Sequence, residues 1–257
     1  MKVLIVGAGL MGSSVGLALS NSGHKVCLED ISQTIQNDAR QFLNLPIAEL
    51  KDPDIVVVAV PPSAVSQATV DAYCSFPNAT LIDIASIMIK PQEEVKSLGY
   101  EIANWIPSHP MAGKEVGGFE NATYDLFKDR LWVLSPQKQT SAIHLERAHQ
   151  LVESCQAIAM EMSGSAHDKA VAVTSHLPQI LATVLAEQLN QVPANNLSVS
   201  GQGLRDLTRI ASSSGQLWNE ILIANKENVV TAITDIQKSL ESMKIAVQSE
   251  SKDSIVN

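Results

Sequence analysis

The chain begins Met1-Lys2-Val3-Leu4-Ile5-Val6-Gly7-Ala8-Gly9-Leu10-Met11-Gly12. This stretch decides the fold. The apolar run 3–6 predicts a buried strand, and the GxGxxG that follows predicts a tight turn into a helix. Each glycine has its own physical task. Gly7 permits the turn, Gly9 lets a pyrophosphate approach the backbone, and Gly12 lets helix and strand pack closely. The N–H groups at the start of the helix, around Leu10 and Met11, add positive potential facing such an anion. The alternative is a strand-to-helix turn that binds nothing.

A second apolar run ends at Glu29-Asp30. Asp30 stands where a dinucleotide-binding unit places the acid that accepts hydrogen bonds from the ribose 2′-hydroxyl. Glu29 is the second candidate. A carboxylate there repels a 2′-phosphate, and Ile31-Ser32-Gln33 offer no cation to hold one. The pattern therefore favours NAD over NADP. Pro61-Pro62, after the third main strand, reads either as the loop beside the nicotinamide half of the cofactor, with Pro61 in contact, or as a plain strand terminator.

Moving outward, short apolar runs alternate with helical patterns. Strands are predicted at 2–6, 25–28, 54–60, 80–84, 101–106, 131–134 and 158–162, and helices at 9–22, 62–73, 91–98 and 141–155. Such alternation means an α/β domain with a mainly parallel sheet and helices on both faces. The run 54–60 is apolar without alternation, as a strand covered on both sides should be. The character changes near Ser163-Gly164. Ser165 reads as an N-cap with Asp168 three residues on. A long helix to about position 191 follows, which Pro178 should kink by freeing the carbonyl of Thr174. Further helices are predicted at 199–212 and 215–247, and the polar tail 249–257 should fray. The expected architecture is a Rossmann-type dinucleotide-binding domain over residues 1–164 and an all-α domain over 165–257. The helical part is small for an independent fold, so burying its apolar faces against a second copy in a homodimer is the natural solution.

Composition narrows the class. Of 257 residues, 45% are hydrophobic and 18% charged, which excludes a disordered chain. A formal net charge of −9, with neither part basic, argues against a nucleic-acid partner and for solubility. Cys27, Cys74 and Cys155 have no CxxC spacing, so neither a disulfide framework nor a zinc site is expected, and a reducing compartment fits. The first apolar run breaks at Gly7, too early for a signal peptide, and no apolar stretch is long enough to span a membrane. A cytoplasmic protein is the expectation. The length leaves no room for a third domain.

Candidate chemistry lies at two further places. Ser108-His109-Pro110-Met111-Ala112-Gly113 follows a predicted strand end, where an open α/β sheet presents catalytic residues. His109 has the right residue type for a general base near neutral pH. Asp83-Ile84-Ala85-Ser86 ends a neighbouring strand. Farther on, Arg205 and Arg209 share a helix face at i and i+4. They read either as an exposed ion-paired couple or as an anion site, because guanidinium grips a carboxylate bidentately.

The Ser108–Gly113 motif, the Ser175-His176-Leu177-Pro178 helix and Gly203-Leu204-Arg205-Asp206-Leu207-Thr208-Arg209-Ile210-Ala211, followed by Trp218, together resemble the prephenate/arogenate dehydrogenase family. The likeness runs from Lys2 to about Leu240. It implies NAD(P)-dependent oxidative decarboxylation of a cyclohexadienol in tyrosine biosynthesis, carried out by a dimer formed through the helical domain. It also implies roles. His109 would accept the proton of the C4 hydroxyl, and Ser86 would orient that hydroxyl. Arg209 would hold the ring carboxylate, with Arg205 and Asp206 just before it. Glu115 would belong to an ionic gate, and Trp218 would reach the site from the partner subunit. Ser175 and His176 lie on the substrate side of the helix, Ser175 with a local role and His176 reading either as a substrate contact or as packing or a helix-to-helix hydrogen bond. Two positions depart from the family pattern: Met88 stands where a Lys is frequent, and Gln179 where some relatives carry a His toward the substrate side chain. The second departure bears on the choice between prephenate and arogenate. The stretch from Trp218 to Asn228 inclines the reading to prephenate. Relatives can carry a fused chorismate mutase or a regulatory domain, and the short chain implies a monofunctional catalyst. Two other readings compete. A β-hydroxyacid dehydrogenase or imino-acid reductase shares the layout, although the former wants a catalytic Lys in the helical part, where Lys169 is the early candidate. An NAD-sensing regulator would leave the His109 loop without a purpose.

Overall fold

A computed structural model of the chain describes residues 1–45, 50–114 and 116–250. Seven strands form one sheet: β1 (Lys2–Val6), β2 (Lys25–Glu29), β3 (Ile55–Val58), β4 (Thr80–Asp83), β5 (Trp105–Pro110), β6 (Leu131–Leu134) and β7 (Ile158–Glu161). Their order is β2-β1-β3-β4-β5-β6-β7. β1 to β5 run parallel, β6 pairs antiparallel with β5, and β7 runs parallel to β6. The antiparallel step departs from the mainly parallel expectation only there, and its cause is local. A parallel return needs a crossover element, and the segment between β5 and β6 carries only the short 3₁₀ turn Phe119–Asn121 among its described residues.

The chain leaves β1 to one side for β2 and to the other for β3. The carboxyl ends of β1 and β3 therefore flank the point where strand order reverses, the crevice in which open α/β sheets bind ligands. Alternate residues of the strands feed two cores. Val3, Ile5, Ile55 and Val57 pack with α1 (Leu10–Asn21), α2 (Gln33–Phe42) and, farther along, residues of the helix Ala142–Ser154. Leu4, Val56, Val58 and Leu81 pack with α3 (Val65–Ser75) and α4 (Ile89–Ser97). All four residues of β3 are buried, which explains its unbroken apolar run.

Three local expectations change. The short, polar helix α2 was not among the predicted helices; it buries Ala39 and Arg40. β5 begins later than predicted and takes in Ser108, His109 and Pro110, so His109 lies inside the strand end. Two prolines, Pro107 and Pro110, lie in this strand. Both serve as acceptors: the Pro107 carbonyl receives the Ser135 N–H at 2.9 Å from beside β6, and the Pro110 carbonyl receives the Ala112 N–H at 2.7 Å in the turn that leaves the strand. The N-cap of the next helix is Ser163, not Ser165, since its hydroxyl accepts the Ala166 N–H at 3.3 Å.

α5 (Ala142–Ser154) joins β6 to β7, and after β7 the remaining elements are helical: α6 (Gly164–Val171), α7 (Leu177–Leu189), α8 (Ala194–Leu197), α9 (Gln202–Thr208), α10 (Gly215–Ala224) and α11 (Lys226–Gln248). Between α6 and α7, residues Ala172–His176 form a π-helical turn. That turn is how the helix accommodates Pro178, whose ring and missing N–H are incompatible with an ordinary i→i−4 bond. The continuous run Gly164–Leu189 is 26 residues long and apolar enough by composition to cross a membrane. It also carries buried His167, Asp168, His176 and Gln179, residue types that suit the helix of a folded domain.

The chain divides into two compact units. One comprises Met1–His167 and Ser213–Ile221, and the other comprises Asp168–Ser212 and the residues from Leu222 on. In the second, Asn225 is the internal fastener: its buried amide donates to the Asp168 carbonyl at 2.7 Å and meets His176 Nδ1 at 3.3 Å. Apolar side chains stay exposed along this unit, among them Leu181 and Val184 on α7 and Leu240, Met243 and Val247 on α11.

Candidate active site

The glycine turn closes by backbone contacts. Gly7 donates to the Glu29 carbonyl at 2.7 Å, and Ala59, just after β3, donates to the Val6 carbonyl at 2.7 Å. Gly7 has φ +108°, and a Cβ there would run into the Ala59 carbonyl oxygen. A Cβ on Gly12 would run into the carbonyl oxygen of Gly7. The protein itself therefore demands two of the three glycines. Around Gly9 a Cβ would meet nothing within 4 Å, and its φ of −74° suits any residue. A glycine that the fold does not need fits a bound group approaching the backbone. The start of α1 lacks any side-chain cap and any acidic residue, so the anion-attracting end of the helix is kept.

Asp30 is wired to this turn. One carboxylate oxygen accepts the Ala8 N–H at 2.8 Å and the other accepts the Ser32 N–H at 2.9 Å. The acid after β2 is thus held beside the glycines, with Leu10 buried and Met11 half-buried next to them. These residues fit a dinucleotide. Pro61 is exposed and starts the 3₁₀ turn Pro62–Ala64, where the Ser63 N–H donates to Glu220 at 3.1 Å.

The ends of β4, β5 and β6 are locked by a buried polar network. The Trp105 indole donates to the Asp83 carboxylate at 2.8 Å. The Trp132 indole donates to Ser108 Oγ at 2.9 Å, and that hydroxyl donates to the Asp83 carbonyl at 2.6 Å. Both indoles are buried, so each needs the acceptor it has. On this base stands His109, half-buried. Its Nδ1 lies 2.9 Å from Nε2 of His167, with the rings 81° apart. Sequence reasoning missed His167. It lies 58 residues from His109 and no spacing rule connects the two. Ser86, half-buried, sits in the turn between β4 and α4. Trp218, also half-buried, lies on α10 in the segment that groups with the sheet unit.

In the helical unit, Arg205 lies on α9 and Arg209 in the 3₁₀ turn that follows it, both exposed. Arg209 keeps right-handed helical angles (φ −53°, ψ −45°), so the i, i+4 relation survives the change of helix type. Gln179 is buried, and its amide donates to the Ile210 carbonyl at 3.1 Å, which braces the turn carrying Arg209. Ser175 is half-buried within the π turn, and the neighbouring His176 is buried. Glu115 lies outside the described residues. No group of three or more His, Cys, Asp or Glu side chains converges on a metal-sized site among the described residues.

A glycine turn fitted to a dinucleotide, a histidine at the carboxyl end of a parallel strand and a following all-helical unit define a two-domain oxidoreductase. Residues 15–161 match the model of the prephenate dehydrogenase nucleotide-binding domain, and residues 163–257 match that of the prephenate dehydrogenase dimerization domain. A probable prephenate dehydrogenase of Streptomyces niveus, NovF, is 30% identical over 93% of this chain and 67% of its own length. A cyclohexadienyl dehydrogenase of Zymomonas mobilis is 28% identical, over 98% of this chain and 90% of its own. Among solved structures, prephenate dehydrogenase from Aquifex aeolicus in complex with hydroxyphenyl propionate and NAD+ superposes with a TM-score of 0.89 at 28% identity, covering 100% of this chain and 94% of that one. The chain belongs to the prephenate dehydrogenase family. It is an oxidoreductase of the prephenate/arogenate dehydrogenase group, and the family places it in tyrosine biosynthesis. Membership also sets aside the β-hydroxyacid dehydrogenase and imino-acid reductase readings.

Proposed function

We propose that the protein catalyses the NAD-dependent oxidative decarboxylation of prephenate to 4-hydroxyphenylpyruvate, as a cytoplasmic homodimer. The observation that carries this reading is His109 at the end of β5, with Nδ1 held by His167. Gly7, Gly9, Gly12, Leu10, Met11, Asp30 and Pro61 would hold NAD, which supplies the hydride acceptor when bound. His109 takes the C4 hydroxyl proton, and Ser86 orients that hydroxyl by a hydrogen bond. Arg209, with Arg205 near it, binds the ring carboxylate. That group leaves as CO2 and its bonding electrons complete the aromatic ring, so the arginine holds a group whose departure drives the step. Ser175, Trp218 and Glu115 complete the substrate side. The division between the two functional domains is taken at residues 164 and 165. The exposed apolar residues of α7 and α11 support pairing of two copies through the helical domain. Asp30, with no neighbouring cation after it, supports NAD over NADP.

Gln179 supports a second reading, arogenate as substrate. Some relatives carry a His at this place toward the substrate side chain, and here the Gln amide is spent on Ile210. Steady-state kinetics with both substrates and both cofactors separate the readings. His109→Asn tests the base: turnover should fall by roughly 10²- to 10⁴-fold, with NAD affinity unchanged. Full activity in this variant would remove His109 from the role.

A further inference from the structure

We propose that His167 is a positioning residue that fixes the tautomer of His109. The inference rests on the dehydrogenase reading above and deepens it.

A neutral imidazole carries one N–H and one lone pair. To accept a proton at Nε2, His109 must carry its hydrogen on Nδ1. That Nδ1 lies 2.9 Å from Nε2 of His167. The base therefore works only when His109 donates and His167 Nε2 accepts, which requires neutral His167 with its hydrogen on Nδ1. With the opposite polarity, the lone pair of His109 points at His167 and its proton sits on Nε2, so the base is blocked. The contact also favours the reaction itself. As the substrate proton arrives, His109 becomes a cation and its Nδ1–H bond becomes charge-assisted, so the interaction strengthens toward the transition state.

The fold builds this contact deliberately from two sides. His109 is fixed by pairing with Val133 in β6. His167, 1% exposed, lies on the first turns of α6, where its backbone N–H donates to the Ser163 carbonyl at 2.9 Å as the helix begins. Gly164 lets that helix close on α4. A Cβ there would lie 3.1 Å from the Gln92 amide and 3.2 Å from Ile89 and Met88.

Two variants test the assignment. His167→Gln keeps an acceptor, and His167→Met keeps apolar bulk without one. The readout independent of turnover is ¹⁵N NMR of the His109 imidazole in the free protein, assigned by comparison with His109→Asn. The wild type should show the Nδ1–H tautomer, His167→Gln should retain it, and His167→Met should lose it. In kinetics, His167→Met should lose kcat on the order of 10- to 100-fold, with NAD affinity, substrate KM and the melting temperature little changed. His167→Gln should recover most of kcat. An unchanged His109 tautomer in His167→Met would overturn the proposal. So would an equal loss of kcat in both variants while both melt and bind NAD like the wild type. The expected tautomer changes without turnover on either cyclohexadienol would support the hydrogen-bond assignment and overturn the dehydrogenase reading instead.

Discussion

The three glycines of the first turn should separate stability from cofactor binding when each is replaced by alanine. At Gly7 the backbone has φ +108° and the new methyl would overlap the Ala59 carbonyl. Positive φ costs a non-glycine residue roughly 1–2 kcal/mol, and overpacking costs about 1–3 kcal/mol. Gly7→Ala should therefore destabilise by about 2–5 kcal/mol. For a chain of this size that lowers the melting temperature by roughly 4–20 °C. Gly12→Ala forces a methyl against the Gly7 carbonyl and should also destabilise, through overpacking alone. Gly9→Ala meets no protein atom within 4 Å. There alanine is a poorer N-cap than glycine, but it also reduces the freedom of the unfolded chain by about 0.4–1 kcal/mol. The two effects oppose each other, so the melting temperature should stay within roughly 2–4 °C. If the cofactor's pyrophosphate fills the space beside Gly9, a methyl there overpacks the complex by about 1–3 kcal/mol. That weakens the NAD dissociation constant by roughly 5- to 150-fold. Thermal melts and calorimetric NAD titrations read both quantities. The reasoning fails if Gly9→Ala melts as low as Gly7→Ala, or binds NAD as the wild type does.

Other outcomes follow from the same structure. Arg209→Met should raise the KM for the cyclohexadienol by roughly 30- to 150-fold, the equivalent of about 2–3 kcal/mol for a lost guanidinium–carboxylate contact, and leave NAD affinity alone; an unchanged KM would remove Arg209 from the substrate site. One thiol of three should react with a disulfide reagent in the native protein. Cys74 is exposed and Cys27 and Cys155 are buried, and burial pushes the Cys155 thiol up to about 12; early labelling of Cys155 would contradict the core packing. Burial, helped by the N-terminal ammonium for His24 and by Arg147 for His144, lowers both imidazoles below their ordinary value of 6.5. Their unfolded forms bind protons first, so the stability they contribute is full above about pH 6.5 and is lost as pH falls below it through their lowered folded values. The double variant His24→Gln, His144→Gln should flatten the fall of melting temperature between about pH 7 and 5.5, and an unaltered slope would argue against the linkage.

The parts of this molecule that were legible in its sequence are those written in local pattern. The glycine turn, Asp30 and the unbroken apolar run of β3 each carry a physical requirement within a few residues, and the α/β then all-helical order follows from their periodicity. What was not legible depends on distant partners. α2 is short and polar overall, with only Ile35, Ala39 and Phe42 on its apolar side, and was not among the predicted helices. β5 was placed too early, at 101–106, because its end is set by pairing with β6, a partner more than twenty residues on. Pro178 signalled a kink, yet a π turn absorbs it. His109 was found by its residue type and motif. His167 was not, because an isolated histidine on the first turns of a helix carries no mark of the ring it will meet. Gln179 looked like a substrate contact by position, and its hydrogen bond to Ile210 gives it a bracing part that only the folded chain reveals.

The central claim is tested most directly by mixing the purified protein with NAD and prephenate and following NADH together with released CO2. The account predicts equal amounts of NADH, CO2 and 4-hydroxyphenylpyruvate, at a rate that collapses in His109→Asn. No NADH from prephenate or from arogenate, in a preparation shown to bind NAD, would contradict it.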